Sequence, residues 1–165
     1  ARLGRDLSAM TDPPVEMAWV ERGNPLAQNP ESAAVRDAFR DLRFRVVVDQ
    51  FMTDTAREAD IVLPAKSFLE QSDVIGAYWH SYIQLRQKVL EPPGEVRPET
   101  EIYRALAERL NMDQAAVDLA IPGPGNAEVE AWLERRLEPW PSLTLDRLRE
   151  GPVWRPAAAR SRGKT

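Results

Sequence analysis

The run Phe44-Arg45-Val46-Val47-Val48 restricts the possible folds more than any other part of this chain. β-branched side chains crowd a helix and suit an extended backbone. Three consecutive valines also leave no polar face, so the strand they predict must be covered on both sides. That is the condition of a parallel sheet with helices above and below it. The run stops at Asp49. A buried strand that closes on a carboxylate delivers that acid to the carboxyl edge of the sheet, where ligands of open α/β sheets bind.

Segments on either side extend the pattern. Residues 15–20 (VEMAWV) alternate loosely and predict a strand, which Arg22-Gly23-Asn24-Pro25 ends abruptly. Asn29-Pro30 reads as an N-cap with proline at the first helical position, and Ala34, Val35, Ala38, Phe39 and Leu42 then recur at helical spacing. Residues 53–59 predict a short helix, and Ile61-Val62-Leu63-Pro64 a third strand. The order β-α-β-α-β implies an α/β fold, a small Rossmann-like parallel sheet with flanking helices.

An α-helical C-terminal extension follows. Residues 67–89 mix apolar pairs with polar groups and suggest irregular structure with a β-hairpin, and Glu91-Pro92-Pro93-Gly94 breaks the chain. Thr100 to Leu110 predicts an amphipathic helix with Ile102, Leu106 and Leu110 on one face. Asn126 reads as the cap of a helix with Val129, Trp132, Leu133 and Leu137 on its apolar face, and Ser142 as the cap of a last helix through Leu148. The expected organisation is a leading tail over 1–14, a partial nucleotide-binding α/β domain over 15–112, a helical extension over 113–150 and a flexible basic tail over 151–165.

Composition removes several function classes. Twenty-two basic against twenty-six acidic residues give a net charge of −4, with no basic stripe to follow a phosphate backbone, so no nucleic-acid partner is expected. No apolar run is long enough to predict a membrane span, and residues 1–14 do not read as a signal peptide. With no cysteine and one histidine, the sequence holds no thiolate metal site, iron–sulfur ligand set or histidine-rich metal site. The lack of cysteine fits a cytoplasmic setting and leaves the periplasm open.

Three constellations are candidates for chemistry. Gly23-Asn24-Pro25 follows a strand, where glycine permits close backbone approach and asparagine offers both a donor and an acceptor; a plain turn fits the same tripeptide. Asp49 with Thr53 could take hydrogen bonds from a base or ribose at that edge, although Thr53 and Asp54 also suit helix capping. His80, within Tyr78-Trp79-His80-Ser81-Tyr82, fits either a proton-transfer group or a packed aromatic neighbour. Glu70 and Asp73 read as solvated acids.

The order of these pieces resembles a known family. Gly23-Asn24-Pro25, a helix, residues 44–56 (FRVVVDQFMTDTA), residues 59–64 (ADIVLP), then Glu70 and the helix Thr100 to Leu110 look like the molybdopterin oxidoreductases of the dimethyl-sulfoxide-reductase type, which include formate dehydrogenases and nitrate reductases. The resemblance covers about Met17 to Leu110. It implies a fragment of an enzyme in which two pterin guanine dinucleotides clasp one molybdenum or tungsten ion. Gly23, Asn24 and Pro25 would then form a loop near one nucleotide, Asp49 and Thr53 would hold its guanosine end, and His80 and Gln84 would lie near the cofactor or substrate funnel. It also implies parts that this sequence does not contain: an iron–sulfur cysteine cluster, the metal ligand, a closing barrel and an electron-transfer partner. The isolated chain is expected to be inactive. A non-catalytic nucleotide-binding or protein-interaction module of the same fold is the alternative, while a small NAD-type dehydrogenase lacks the Gly-x-Gly-x-x-Gly fingerprint.

Overall fold

A computed structural model describes residues 2–155. The chain forms two compact units, Ala1–Lys66 with Pro93–Arg97, and Ser67–Pro92 with Pro98–Thr165. This division falls after residue 66, well before the expected end of an α/β domain at 112.

The first unit begins with α1 (Leu3–Ala9), β1 (Met17–Glu21), α2 (Pro25–Gln28) and α3 (Ser32–Arg40), and continues through β2 (Phe44–Asp49) and β3 (Ile61–Pro64). The three strands form a parallel sheet in the order β1-β2-β3. The valine run occupies the central strand: Val46, Val47 and Val48 are 3%, 0% and 2% exposed, as burial on both faces requires. Val47 joins Leu26, Val35, Phe39, Leu42 and Ala56 in one core, with Leu7, Ala18, Val20 and Val62 packed against it. At the amino end of β2, Asp60 receives hydrogen bonds from Arg45 N (2.7 Å), Nε (2.9 Å) and Nη2 (2.7 Å), which fixes the start of β3 beside it.

Several local expectations change. The expected leading tail contains α1, which packs on α3 so closely that a Cβ on Gly4 would stand 2.5 Å from the Ala34 carbonyl. A seven-residue helix is unstable alone, and this one persists through that backbone-to-backbone contact. Asn29 does not open α3. It closes α2, donating from its backbone N–H and its Nδ2 to Pro25 O, and α3 starts after Glu31, which turns through the left-handed region at φ 58°. The helix expected over 53–59 is a single 3-10 turn, Ala56–Glu58.

The second unit holds β4 (Asp73–Ile75) and β5 (Tyr82–Arg86), then α4 (Glu99–Arg109), α5 (Gln114–Ala120), α6 (Asn126–Leu137), α7 (Leu145–Glu150) and β6 (Val153–Trp154). Its strands form an antiparallel sheet in the order β4-β5-β6, so residues 67–89 do contain a hairpin. Val129, Leu133 and Leu137 of α6 pack with Leu143, Leu145 and Leu148, and with Val74, Ile83 and Leu85 of the hairpin. Asn126 is the first residue of α6. Its side chain bonds to Ser72 and Glu130, while Gly125 takes the cap position at φ 84°. The cap of α7 is Thr144, whose hydroxyl accepts from Arg147 N, and Ser142 lies outside it. Residues 151–155 are structured through β6; the rest of the expected flexible tail, 156–165, lies outside the described residues. Among the described residues no helix is long and apolar enough to cross a membrane.

Candidate functional site

The strand register assembles the site in the first unit. Glu21 pairs with Val48 and Asp49 with Pro64, so β1, β2 and β3 reach their carboxyl ends at one edge. Adjacent strands lie about 4.8 Å apart. The Gly23-Asn24-Pro25 loop after β1 and the Asp49 carboxylate ending β2 are therefore neighbours, where a ligand of an open α/β sheet is held.

Each side chain is fixed differently. Asp49 Oδ1 accepts from Phe51 N at 3.2 Å, closing a tight turn. Its Oδ2 is 3.5 Å from the Thr53 hydroxyl, too far for a strong bond, and keeps acceptor capacity for a ligand. Thr53 has a structural task as well, since its Oγ1 accepts from Ala56 N at 3.2 Å and starts the 3-10 turn. Pro25 takes the first position of α2, where a missing N–H is harmless. The Asn24 backbone N–H donates to Gln28 Oε1 at 2.8 Å.

Gly23 is not required by the chain's own packing. A Cβ there would meet nothing closer than 3.7 Å, and no left-handed φ demands glycine. An added Cβ would only touch Gln28 Oε1 and Glu21 O at ordinary contact distance. Glu21 Oε2, one residue before the turn, is buried without a hydrogen-bond partner, an acceptor that a ligand hydroxyl or amine would satisfy.

A residue that sequence reasoning missed ties the two loops together. Thr55 is fully buried; its N–H (3.2 Å) and its hydroxyl (2.7 Å) both donate to Asn24 Oδ1, and its Oγ1 accepts from Leu26 N at 3.2 Å. In the string Thr53-Asp54-Thr55 nothing distinguishes it from an ordinary turn threonine. Nearby, Glu58 is held by Arg40 and Arg36, and their hydrogen bonds, that of Arg40 first, lower its pKa from 4.5 to about 2. This clamp ties the 3-10 turn to α3.

His80 and Gln84 belong to the second unit and are not brought together with these groups within one unit. Both are exposed. His80 Nδ1 accepts from Tyr82 N at 3.2 Å, and the two rings meet edge to face. Tyr78 and Trp79 stand fully or largely in solvent on the same hairpin. Glu70 Oε2 accepts from Ser67 N, and Asp73 pairs with Arg86, so the two acids form no dyad. Among the described residues no three His, Asp or Glu side chains gather as a metal site.

A family model described as molybdopterin oxidoreductase matches residues 4–109. The chain belongs to the molybdopterin oxidoreductase family. It is 41% identical over 134 residues to the probable oxidoreductase YoaE of Bacillus subtilis, covering 76% of this chain and 20% of that protein. It is 39% identical over 102 residues to the dimethyl sulfoxide/trimethylamine N-oxide reductase of Cereibacter sphaeroides, covering 61% and 12%. The solved acetylene hydratase from Pelobacter acetylenicus superposes with a TM-score of 0.64 at 26% identity over 79% of this chain and 17% of that one. The chain thus spans a fifth or less of the length of these relatives.

Proposed function

We propose that this chain holds the guanosine end of one pterin guanine dinucleotide within a larger molybdenum or tungsten enzyme. The observation that carries the reading is the common edge, where the strand register sets the Gly23-Asn24 loop beside Asp49. The donor set fits the group. Asp49 Oδ2 is an open acceptor for the N–H groups of guanine or a ribose hydroxyl, the orphaned Glu21 Oε2 is a second acceptor, and the absence of a side chain at Gly23 permits close backbone approach. Thr53, whose hydroxyl lies 3.5 Å from Asp49 Oδ2, is proposed to share in holding the guanosine end. His80 and Gln84 are proposed as cofactor-binding residues of their own unit; with Nδ1 accepting from Tyr82 N–H, His80 has Nε2 left to offer.

When bound, such a cofactor supplies two-electron chemistry at its metal, and protein residues supply position and electrostatics. The residues of this chain bind and orient. The metal ligand, any iron–sulfur cluster and the electron-transfer partner belong to other parts of the enzyme, so the chain alone is inactive. Its relatives include one named as an oxide reductase and one named as a hydratase, so the reaction is set by groups elsewhere and the fold serves as a shared holder.

Titration of the chain with guanosine diphosphate tests the clamp. Asp49→Ala removes a charged acceptor, whose bonds contribute about 1.5–3 kcal/mol, and should weaken binding by roughly 10- to 100-fold. Equal affinity of wild type and variant would show that Asp49 does not contact the nucleotide.

A further inference from the structure

Building on the clamp reading, we infer that Thr55 is a positioning residue which fixes the polarity of Asn24, so that the site presents an amide donor at the β1 loop opposite the carboxylate acceptor at β2. A free asparagine amide can rotate by half a turn and offer a ligand either its oxygen or its nitrogen. Here that ambiguity is removed. The backbone N–H of Thr55 can only donate, and it reaches the same Asn24 atom as the Thr55 hydroxyl, at 3.2 and 2.7 Å. That atom must be Oδ1. The hydroxyl proton is thereby committed to Asn24, and the lone pairs of Oγ1 receive Leu26 N–H. Thr55 is fully buried, so water does not compete for these bonds.

The consequence falls on Nδ2. Both printed side-chain bonds of Asn24 fall on Oδ1, and Nδ2 is not among the buried unpartnered atoms of the described residues, so it keeps its donor capacity. Whatever ligand group lies against Asn24 must accept a hydrogen bond: a phosphate oxygen or a carbonyl oxygen of the base. The group at Asp49 must donate. Two loops at one sheet edge thus impose opposite requirements on one ligand, and a group buried behind the first loop sets one of them. Sequence spacing assigns Asn24 no polarity at all.

Binding of guanosine diphosphate and of guanosine to the chain, with a thermal melt for each variant, tests this. Asn24→Asp keeps the Oδ1 that Thr55 uses and replaces the amide donor with an acceptor; it should melt as a folded protein and bind guanosine diphosphate at least about tenfold more weakly. Thr55→Val should weaken binding about fivefold, Thr55→Ser should restore it, and Thr55→Val should add nothing in an Asn24→Ala background. Loss confined to guanosine diphosphate identifies the acceptor as phosphate; equal loss with guanosine identifies a base or ribose oxygen. Undiminished binding by folded Asn24→Asp, or a full Thr55→Val effect without Asn24, overturns the inference while an intact Asp49→Ala effect leaves the clamp standing. No binding by the wild-type chain overturns both.

Discussion

Two glycines in the first unit are placed for opposite reasons, and replacing each with alanine separates packing from ligand access. At Gly4 an added Cβ would lie 2.5 Å from both C and O of Ala34 and 2.6 Å from Val35 N. All three are backbone atoms of α3, so no rotamer change relieves the clash. The helices must separate by about 1 Å to restore ordinary contact, an overpacking cost of about 1–3 kcal/mol. Leu7 rides on the same helix and packs against the core, so separation also thins its contacts, by about 1 kcal/mol if half of its burial is lost. Alanine returns about 1 kcal/mol in helix propensity. The net expectation for Gly4→Ala is a loss of about 1–3 kcal/mol in the first unit. At about 4–8 °C per kcal/mol for a unit of this size, that is a drop of at least about 4 °C in its melting transition. For Gly23→Ala the nearest contact would be 3.7 Å, so stability should stay within about 1 kcal/mol of wild type, on the favourable side if the unfolded chain loses entropy. On the clamp reading its affinity for guanosine diphosphate should fall, because the methyl group would hinder close approach of the nucleotide to the loop backbone. Differential scanning calorimetry with nucleotide titration reads both quantities. An unshifted melt for Gly4→Ala would refute the α1–α3 contact, and a destabilised Gly23→Ala would refute the claim that this position has room for a methyl group.

Two further outcomes concern stability alone. Glu58 has its pKa lowered from 4.5 to about 2 by Arg40 and Arg36, so its contribution to folding is complete above the unfolded value and is lost as pH falls from about 4.5 through about 2; Glu58→Gln should flatten that part of an acid titration followed by circular dichroism and leave the neutral-to-basic range unaltered in slope. In the second unit, buried Ser72 Oγ donates to Glu130 and accepts from Lys88 N and Asn126 Nδ2, so Ser72→Ala should remove three bonds, leave the half-buried Lys88 N–H without this acceptor and lower stability by about 1–3 kcal/mol in urea unfolding, whereas a variant with wild-type stability would show the network to be dispensable.

The sequence announces those elements whose stability is written in their own side chains. Val46-Val47-Val48 could hardly be anything but a central strand, and Asp49 at its end marks the carboxyl edge of the sheet, where the candidate site lies. Elements held by tertiary contact are less visible. Nothing in residues 3–9 signals a helix strongly; α1 exists because Gly4 lets it lie against the backbone of α3. Helical spacing correctly placed α4, yet Leu106 and Leu110 are 39% and 64% exposed, because periodicity reports a face without reporting what covers it. Capping signals misled in the same way at Asn29, whose side chain satisfies the carbonyl of Pro25 behind it instead of the helix ahead. Thr55 is the instructive case within the site. Its neighbour Thr53 stood four residues from Asp49 and drew attention, while the contact of Thr55 with Asn24 spans 31 positions and appears only in three dimensions.

The arrangement of bonds around Thr55 fastens together a candidate site that is built on loops. A loop after β1 and a loop after β2 would ordinarily move independently, since each is anchored only at its strand. Here one buried threonine bonds to Asn24 twice and to Leu26 once, and Leu26 is itself a core residue only 2% exposed. The loop that carries Asn24 is thus fastened to the hydrophobic core through α2 and to the β2 loop through Thr55. On the other side, Thr53 opens the 3-10 turn whose Glu58 is clamped to α3 by two arginines. Donor and acceptor are therefore set before any ligand arrives, and ordering entropy that a flexible site would lose on binding is already accounted for in folding. On the proposed reading, a holder used by enzymes with different reactions needs that property, because it would keep one cofactor end in place while the chemistry changes elsewhere.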